Sequence, residues 1–539
     1  MIGLALLGFG FATADCRCTS YQEDAQADSQ TPEPDRSSSA VDPPFRPSIP
    51  QAWDEGTVVN LQLPLADPKH SPVEIPWEYY YRIPRRLIYK SYAVYAPGHE
   101  PPGYFEWLKQ QEPQVVWGVD YDGQSHTPPL QTKADWIKAG EVVFDAPIAY
   151  DTDPWGSSVV SVENVRDPAW YAVVHAPASG DGVLPFARYV IRKKGVVELG
   201  QQSCGMCHTR VLPDGTVAKG AQGNFPFDRA AAWRLEELGH GGGDRAPLLA
   251  QVRKVLRSSS DAPWLNTGLS DRINAMSLDE IAGALRAIPP GMTDRSGSSL
   301  FNPVQTPDLI GLGERRFLDH TGLVRQRSIG DLMSYAALNQ DVGGLARYSG
   351  FIPEGVGPGT LPDPVERARY SDEQLYALAL YLYSLQPPPN PNQLNALAAR
   401  GQGVFLREGC GRCHTPPLYT NNRLTPAEGF TPPLEEAREY DVLPVSLHTD
   451  SALAVRTRRG TGFYKVPSLR GLWYRGLFPH DGSCATLEDW FDPSRLRDDY
   501  VPTGFKGYGV ARRAVTGHEF GLKLSAEDKA ALMAFLRTL

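Results

Sequence analysis

Cys204-Gly205-Met206-Cys207-His208 and Cys410-Gly411-Arg412-Cys413-His414 are two copies of one pentapeptide, C-x-x-C-H. This is the attachment signature of c-type haem, and chemistry explains its spacing. Two thiols three residues apart on one turn reach the two vinyl groups of a single porphyrin. The histidine directly after them aims its imidazole at the iron. A redox-active C-x-x-C does not need that histidine. A zinc knuckle needs two further ligands at short spacing, and the remaining cysteines, Cys16, Cys18 and Cys484, are too scattered to supply them. The reading is two covalently bound haem c groups: Cys204, Cys207, Cys410 and Cys413 hold the porphyrins, and His208 and His414 ligate the irons. Covalent haem attachment in bacteria takes place outside the cytoplasm, so a periplasmic or secreted location is expected.

Downstream of each motif the sequence repeats. Thr306-Pro307-Asp308-Leu309-Ile310-Gly311-Leu312 matches Val466-Pro467-Ser468-Leu469-Arg470-Gly471-Leu472. His320 and His480 follow the two prolines at equal distance, with Gly322 and Gly482 two residues later. Each copy closes on a similar helix. Ser371 to Gln374 is a capping box, followed by an apolar stripe of Leu375, Leu378, Ala379, Leu382 and Leu385. Ser525 to Asp528 opens the second helix, with Leu532, Phe535, Leu536 and Leu539 behind it. Pro387-Pro388-Pro389 stops the first helix, because proline lacks a donor and clashes with the preceding turn. A further helix is predicted over about 394–408, leading into the second motif.

The predicted fold is therefore mainly α: two tandem cytochrome c-like haem domains, 186–390 and 391–539, behind an irregular, partly β N-terminal extension. Residues 45–185 are the extension or cap, rich in Tyr, Trp and Pro, with alternating stretches at Tyr89–Tyr95 and Trp170–Val174 that read as strands. Residues 1–14 read as a signal segment ending in an A-x-A-like site, Ala12-Thr13-Ala14. Residues 15–44 are a Pro-, Ser- and Asp-rich linker too polar to order itself; a lipid anchor through Cys16 is the weaker alternative. The 539 residues carry a net charge of −9, which gives no basic face for nucleic acid. No apolar run beyond the first residues is long enough to span a bilayer.

Function turns on the second axial position of each iron. Strong ligands on both sides give an electron-transfer haem; an open side admits oxygen or peroxide. In the second half the candidate is His518, seven residues before the helix-capping Ser525. The same count back from Ser371 reaches Pro364, which cannot ligate iron. The duplication thus predicts unequal irons: bis-histidine at the second haem, open or weakly ligated at the first. His518 as a solvated surface histidine is the alternative. His320 and His480 read as hydrogen-bonding groups near the haem edges. His240, in a Gly-rich segment, is a remote candidate for the first iron. Cys484 reads as a small buried hydrophobe.

The two motifs, the Pro-x-Leu-x-Gly repeats and the Phe478-Pro479-His480-Asp481-Gly482 loop resemble the dihaem cytochrome c peroxidase superfamily over about residues 190–539. Ile88 to Pro97 and Glu100 to Trp107 look like the N-terminal region of rubber oxygenases, secreted dihaem enzymes that cleave polyisoprene with dioxygen at the N-terminal haem. In the superfamily, the position of His518 is the distal ligand of the C-terminal haem. Two departures stand out. The Trp of the family's inter-haem Trp-Asp-Gly loop is here His320, which puts a Trp relay in doubt. The distal Glu pattern is missing from residues 333–350, which show Asn339 and Asp341, and peroxide cleavage wants an acid–base group there. The resemblance implies oxygen activation at the first haem on an apolar, polyisoprenoid-like substrate, with Phe317, His320 and Tyr335 as possible distal-pocket residues. The rivals are a peroxidase that takes electrons from a small redox partner to reduce hydrogen peroxide, and a non-enzymatic electron carrier.

Overall fold

The computed structural model describes residues 44–56, 62–71, 73–120, 122–153, 158–241, 244–294, 299–342, 346–353 and 367–539. The signal segment, almost all of the linker, and Pro364 lie outside the described residues. Six helices organise the two halves: α1 (Lys133–Asp145), α2 (Pro168–Val174), α3 (Ile329–Ala337), α4 (Asp372–Ser384), α5 (Ala396–Arg407) and α6 (Ala526–Arg537).

Each half is built on one helix crossing. α1 packs on α4, and α5 packs on α6. Both crossings are close for the same reason: a glycine faces a helix backbone. A Cβ on Gly140 of α1 would be driven into the Ala377 carbonyl and against the Tyr381 Cβ. A Cβ on Gly401 of α5 would meet the Ala531 carbonyl and the Phe535 Cβ. The two contacts are the same contact, four residues apart on each partner. α4 is buried on every face from Gln374 to Leu382, rather than on one stripe, because α3 covers the side that α1 leaves open. Ser371 caps α4 through a complete capping box, and Ser525 caps α6 by accepting from Asp528 N at 3.2 Å.

In the second half, α5 runs almost directly into its motif. In the first half, a β-rich insert separates α1 from Cys204. Two small antiparallel sheets form the insert and what precedes it. One joins β1 (Ile88–Tyr89), β3 (Val115–Val119) and β4 (Ser125–His126) in the order β1-β3-β4. The other joins β2 (Ser91–Tyr92), β5 (Ala149–Tyr150), β6 (Arg188–Lys193) and β7 (Val196–Gln201) in the order β2-β6-β7-β5. Trp170–Val174, read from the sequence as a strand, is helix α2. Asp167 caps it by accepting from Ala169 N, and Pro168 takes the first helical position, which suits a ring with no donor. Trp170 and Val174, one turn apart, are both fully buried, so the alternation was a helical face.

The two halves hold each other through their repeats. Gln305 and Lys465 each lie two residues before the repeated proline. Gln305 N donates to His480 O of the second half at 3.0 Å, and Lys465 N donates to His320 O of the first half at 3.0 Å. Residues 44–539 accordingly pack as one compact unit. Among the described residues, no helix is long and apolar enough to cross a membrane.

Candidate haem sites

Both motifs form one tight turn, by different means. Ser203 caps the first, its hydroxyl accepting from Met206 N at 3.1 Å. Gly409, at φ 74°, starts the second. In both, the histidine N–H closes onto the first cysteine carbonyl at 2.9 Å: His208 to Cys204 and His414 to Cys410. That bond brings two thiols and one imidazole to one side. All four cysteines are part-buried. Burial pushes the Cys410 thiol up to about 11 and raises Cys413 as well. A redox-active dithiol needs the opposite shift.

The repeated prolines orient the histidines. His208 Nδ1 donates to Pro307 O at 2.9 Å. His414 Nδ1 donates to Pro467 O at 3.2 Å and to Tyr419 O at 3.1 Å. A carbonyl only accepts, so Nδ1 carries the hydrogen and Nε2 keeps the lone pair a metal needs. The residue after each proline locks the turn: Asp308 accepts from Ile310 N at 2.7 Å, and Ser468 accepts from Arg470 N at 3.2 Å. This is why the Pro-x-Leu-x-Gly segment recurs behind each motif.

A cavity of about 280 Å³ opens between Cys410, Cys413 and His414 on one side and His518 on the other. Phe405, Leu469, Leu472, Trp490, Leu532 and Leu536 wall it. The His414 and His518 rings face each other with centroids 6.4 Å apart. Two metal–nitrogen bonds of about 2 Å each, plus the two half-rings, fill such a gap. Burial, and then the neighbouring His414 ring, lower the His518 pKa to about 4; burial lowers His414 too. Both imidazoles are therefore neutral at neutral pH, the form that ligates metal. The donor set, the apolar walls and the facing rings fit a bis-histidine haem c held by Cys410 and Cys413.

Sequence reading missed the residue that holds His518 in place. Arg495 is fully buried, and its hydrogen bonds all go to carbonyls. It donates to Trp490 O at 2.8 Å, Gly517 O at 2.8 Å, His518 O at 3.1 Å, and Val515 O. Its guanidinium also stacks 4.2 Å over the Trp490 ring, which lies 5.5 Å from His518. His518 N in turn donates to Leu447 O at 2.8 Å.

Of the suggested distal residues, Phe317 and His320 line the cavity that reaches His414. Tyr335 does not line it and packs half-buried against the core around α4. His320 Nε2 donates to Gln305 O at 2.8 Å, and His480 stacks on Tyr464 with centroids 4.2 Å apart. His240 is exposed at a helix C-terminus. Cys484 is fully buried. Beside the first motif stands a residue the sequence did not single out: Gln340, on a π-turn over Leu338–Val342, whose amide lies 3.4 Å from Cys204 Sγ. Irregular helical turns of this kind recur at functional sites.

No family model matches the chain, and no curated protein matches it. Hydrazine synthase of Kuenenia stuttgartiensis, pressurised with xenon, is similar in structure at 16% identity, over 57% of this chain and 92% of that one, with a TM-score of 0.27. A MauG-like protein associated with microbial copper homeostasis is similar at 15% identity, over 56% of this chain and 90% of that one, with a TM-score of 0.28. Likenesses this distant carry no argument about function, and neither is to a rubber oxygenase.

Proposed function

We propose that this chain is an exported dihaem c-type oxidoreductase whose two irons are unequal. His414 and His518 saturate the second, an electron-transfer centre. The first, at Cys204, Cys207 and His208, keeps a face for dioxygen and acts on an apolar, rubber oxygenase-like substrate. The haem groups supply the redox chemistry when bound. The protein's part is to orient His208 and His414 through the Pro307 and Pro467 carbonyls, and to exclude water around the second centre with aromatic and aliphatic walls. The observation that carries the reading is the facing pair of imidazoles across an apolar cavity, flanked by two thiols.

Absorption and electron paramagnetic resonance spectra test it. The wild-type holoprotein is expected to show one bis-histidine low-spin haem and one haem that binds carbon monoxide once reduced. His518→Ala should turn the low-spin signal high-spin and leave the other unchanged. Two low-spin haems that both refuse carbon monoxide would leave only the electron carrier. Oxygen uptake on a latex emulsion, set against hydrogen peroxide turnover with a reduced cytochrome, separates the oxygenase from the peroxidase.

A further inference from the structure

The cavity's lining also includes charged residues, and their charges do not balance. Asp308, Arg315, Arg475 and Lys465 all line it. Asp308 is one carboxylate with a side chain only 3% exposed. Its oxygens already serve Ile310 N and the Tyr474 hydroxyl, each at 2.7 Å. Arg475 Nε lies 3.4 Å from it and Arg315 Nη2 3.9 Å. Both guanidinium side chains are about one-seventh exposed or less, at 14% and 13%. Arg475 Nε has no aligned hydrogen-bond acceptor among the described residues. Lys465 adds a third cation, opposed electrostatically by Asp319 and then by the already shared Asp308. Two carboxylates, Asp308 and Asp319, are thus set against three cations, and a desolvated charge without a partner is unfavourable.

We propose that Lys465, with Arg315 and Arg475, receives the carboxylate side groups of the tetrapyrrole attached at Cys410 and Cys413. The inference rests on the dihaem reading and deepens it. The chemistry matches on three counts. The cations sit on the same cavity as the thiols and His414. They share it with the apolar Phe405, Leu532 and Leu536, as an amphipathic disc would require. Lys465 is two residues from Pro467, so the receptor and the carbonyl that orients His414 share one segment. Burial first, then the charges of Arg315 and Arg475, lower the Lys465 ammonium to about 7, and a carboxylate beside it would restore the charge. A cation on the cavity that holds the porphyrin would favour the reduced, less positive haem.

The test is a potentiometric titration of the holoprotein, followed at the low-spin haem, for wild type, Lys465→Met and Lys465→Arg. Lys465→Met should lower the midpoint of the low-spin haem and shift the other haem less; Lys465→Arg should return it towards wild type. The wild-type midpoint should not move with added acetate or phosphate at constant ionic strength. An unchanged midpoint in Lys465→Met overturns the proposal. So does a wild-type midpoint that follows acetate or phosphate, which would mean that the cations take a free anion from solution. Covalent haem is counted on the same samples. Fewer than two haems per wild-type chain would sink the underlying reading; two haems with an unmoved midpoint would sink only the receptor.

Discussion

His518 occupies backbone at φ 47°, a left-handed conformation that costs a side-chain-bearing residue of order 1–2 kcal/mol. Its surroundings must hold it there, and Arg495 does most of that by tying three carbonyls of its loop to that of Trp490. Removing the guanidinium leaves those acceptors buried without donors, so Arg495→Met is expected to cost roughly 3–5 kcal/mol, the scale of breaking one buried charged partner. Denaturant unfolding measures that. The low-spin signal should also weaken well below the unfolding transition in Arg495→Met, and recover in part in Arg495→Lys; a signal that persists to global unfolding would leave Arg495 a purely structural residue. A second expectation concerns His320. Burial first, then Lys465, lower its pKa from 6.5 to about 4. The unfolded chain therefore binds a proton that the folded one refuses, and stability is lost as pH falls from about 6.5 towards 4. His320→Asn keeps a donor for Gln305 O but cannot titrate. Between pH 7 and 4.5 the wild type should lose up to roughly 2 kcal/mol more stability than this variant. Equal losses would contradict the burial.

At the scale of elements, the glycines of α5 give opposite expectations two residues apart. Gly401 faces the α6 backbone; Gly403 has open space where a Cβ would go. Gly401→Ala should destabilise by about 1–3 kcal/mol through overpacking. Gly403→Ala should stabilise by up to about 1 kcal/mol through helix propensity. Thermal unfolding of both decides whether the crossing is as close as described. The elements also show what was legible in the sequence. The capped helices α4 and α6, and α5 within two residues, were readable because caps and apolar periodicity are local. Trp170–Val174 misled because a buried one-turn pair and a short strand leave similar patterns over five residues. The role of α1 was missed although its signal was printed in the chain: Gly140-x-x-Val143-Phe144 matches Gly401-x-x-Val404-Phe405. The β insert hides the match by moving the first motif far from its helix. Arg495, Lys465 and Gln340 had no local signal, since their partners come from distant segments.

At the scale of the whole molecule, the halves do not stand apart as their tandem order suggests. Gln305, Phe317 and His320 of the first half form part of the cavity proposed to receive the second haem. Residues 391–539 expressed alone are therefore expected to lose the low-spin signature. By contrast, chain cleavage within Pro387–Pro389, where Pro387 and Pro389 are exposed, should leave both spectra intact and the fragments associated in gel filtration. Fragments that separate freely, each with its own unchanged spectrum, would refute the shared wall.

The β insert also orders events while the polypeptide is being made. A chain emerging from its N-terminus presents Cys204 and Cys207 with α1 already behind them but α4 still to come. On the dihaem reading, the first haem would be joined to an open segment and enclosed afterwards. When Cys410 and Cys413 emerge, the wall that carries Gln305 and His320 already exists, so the second centre matures against a finished surface and needs only α6 to seal it.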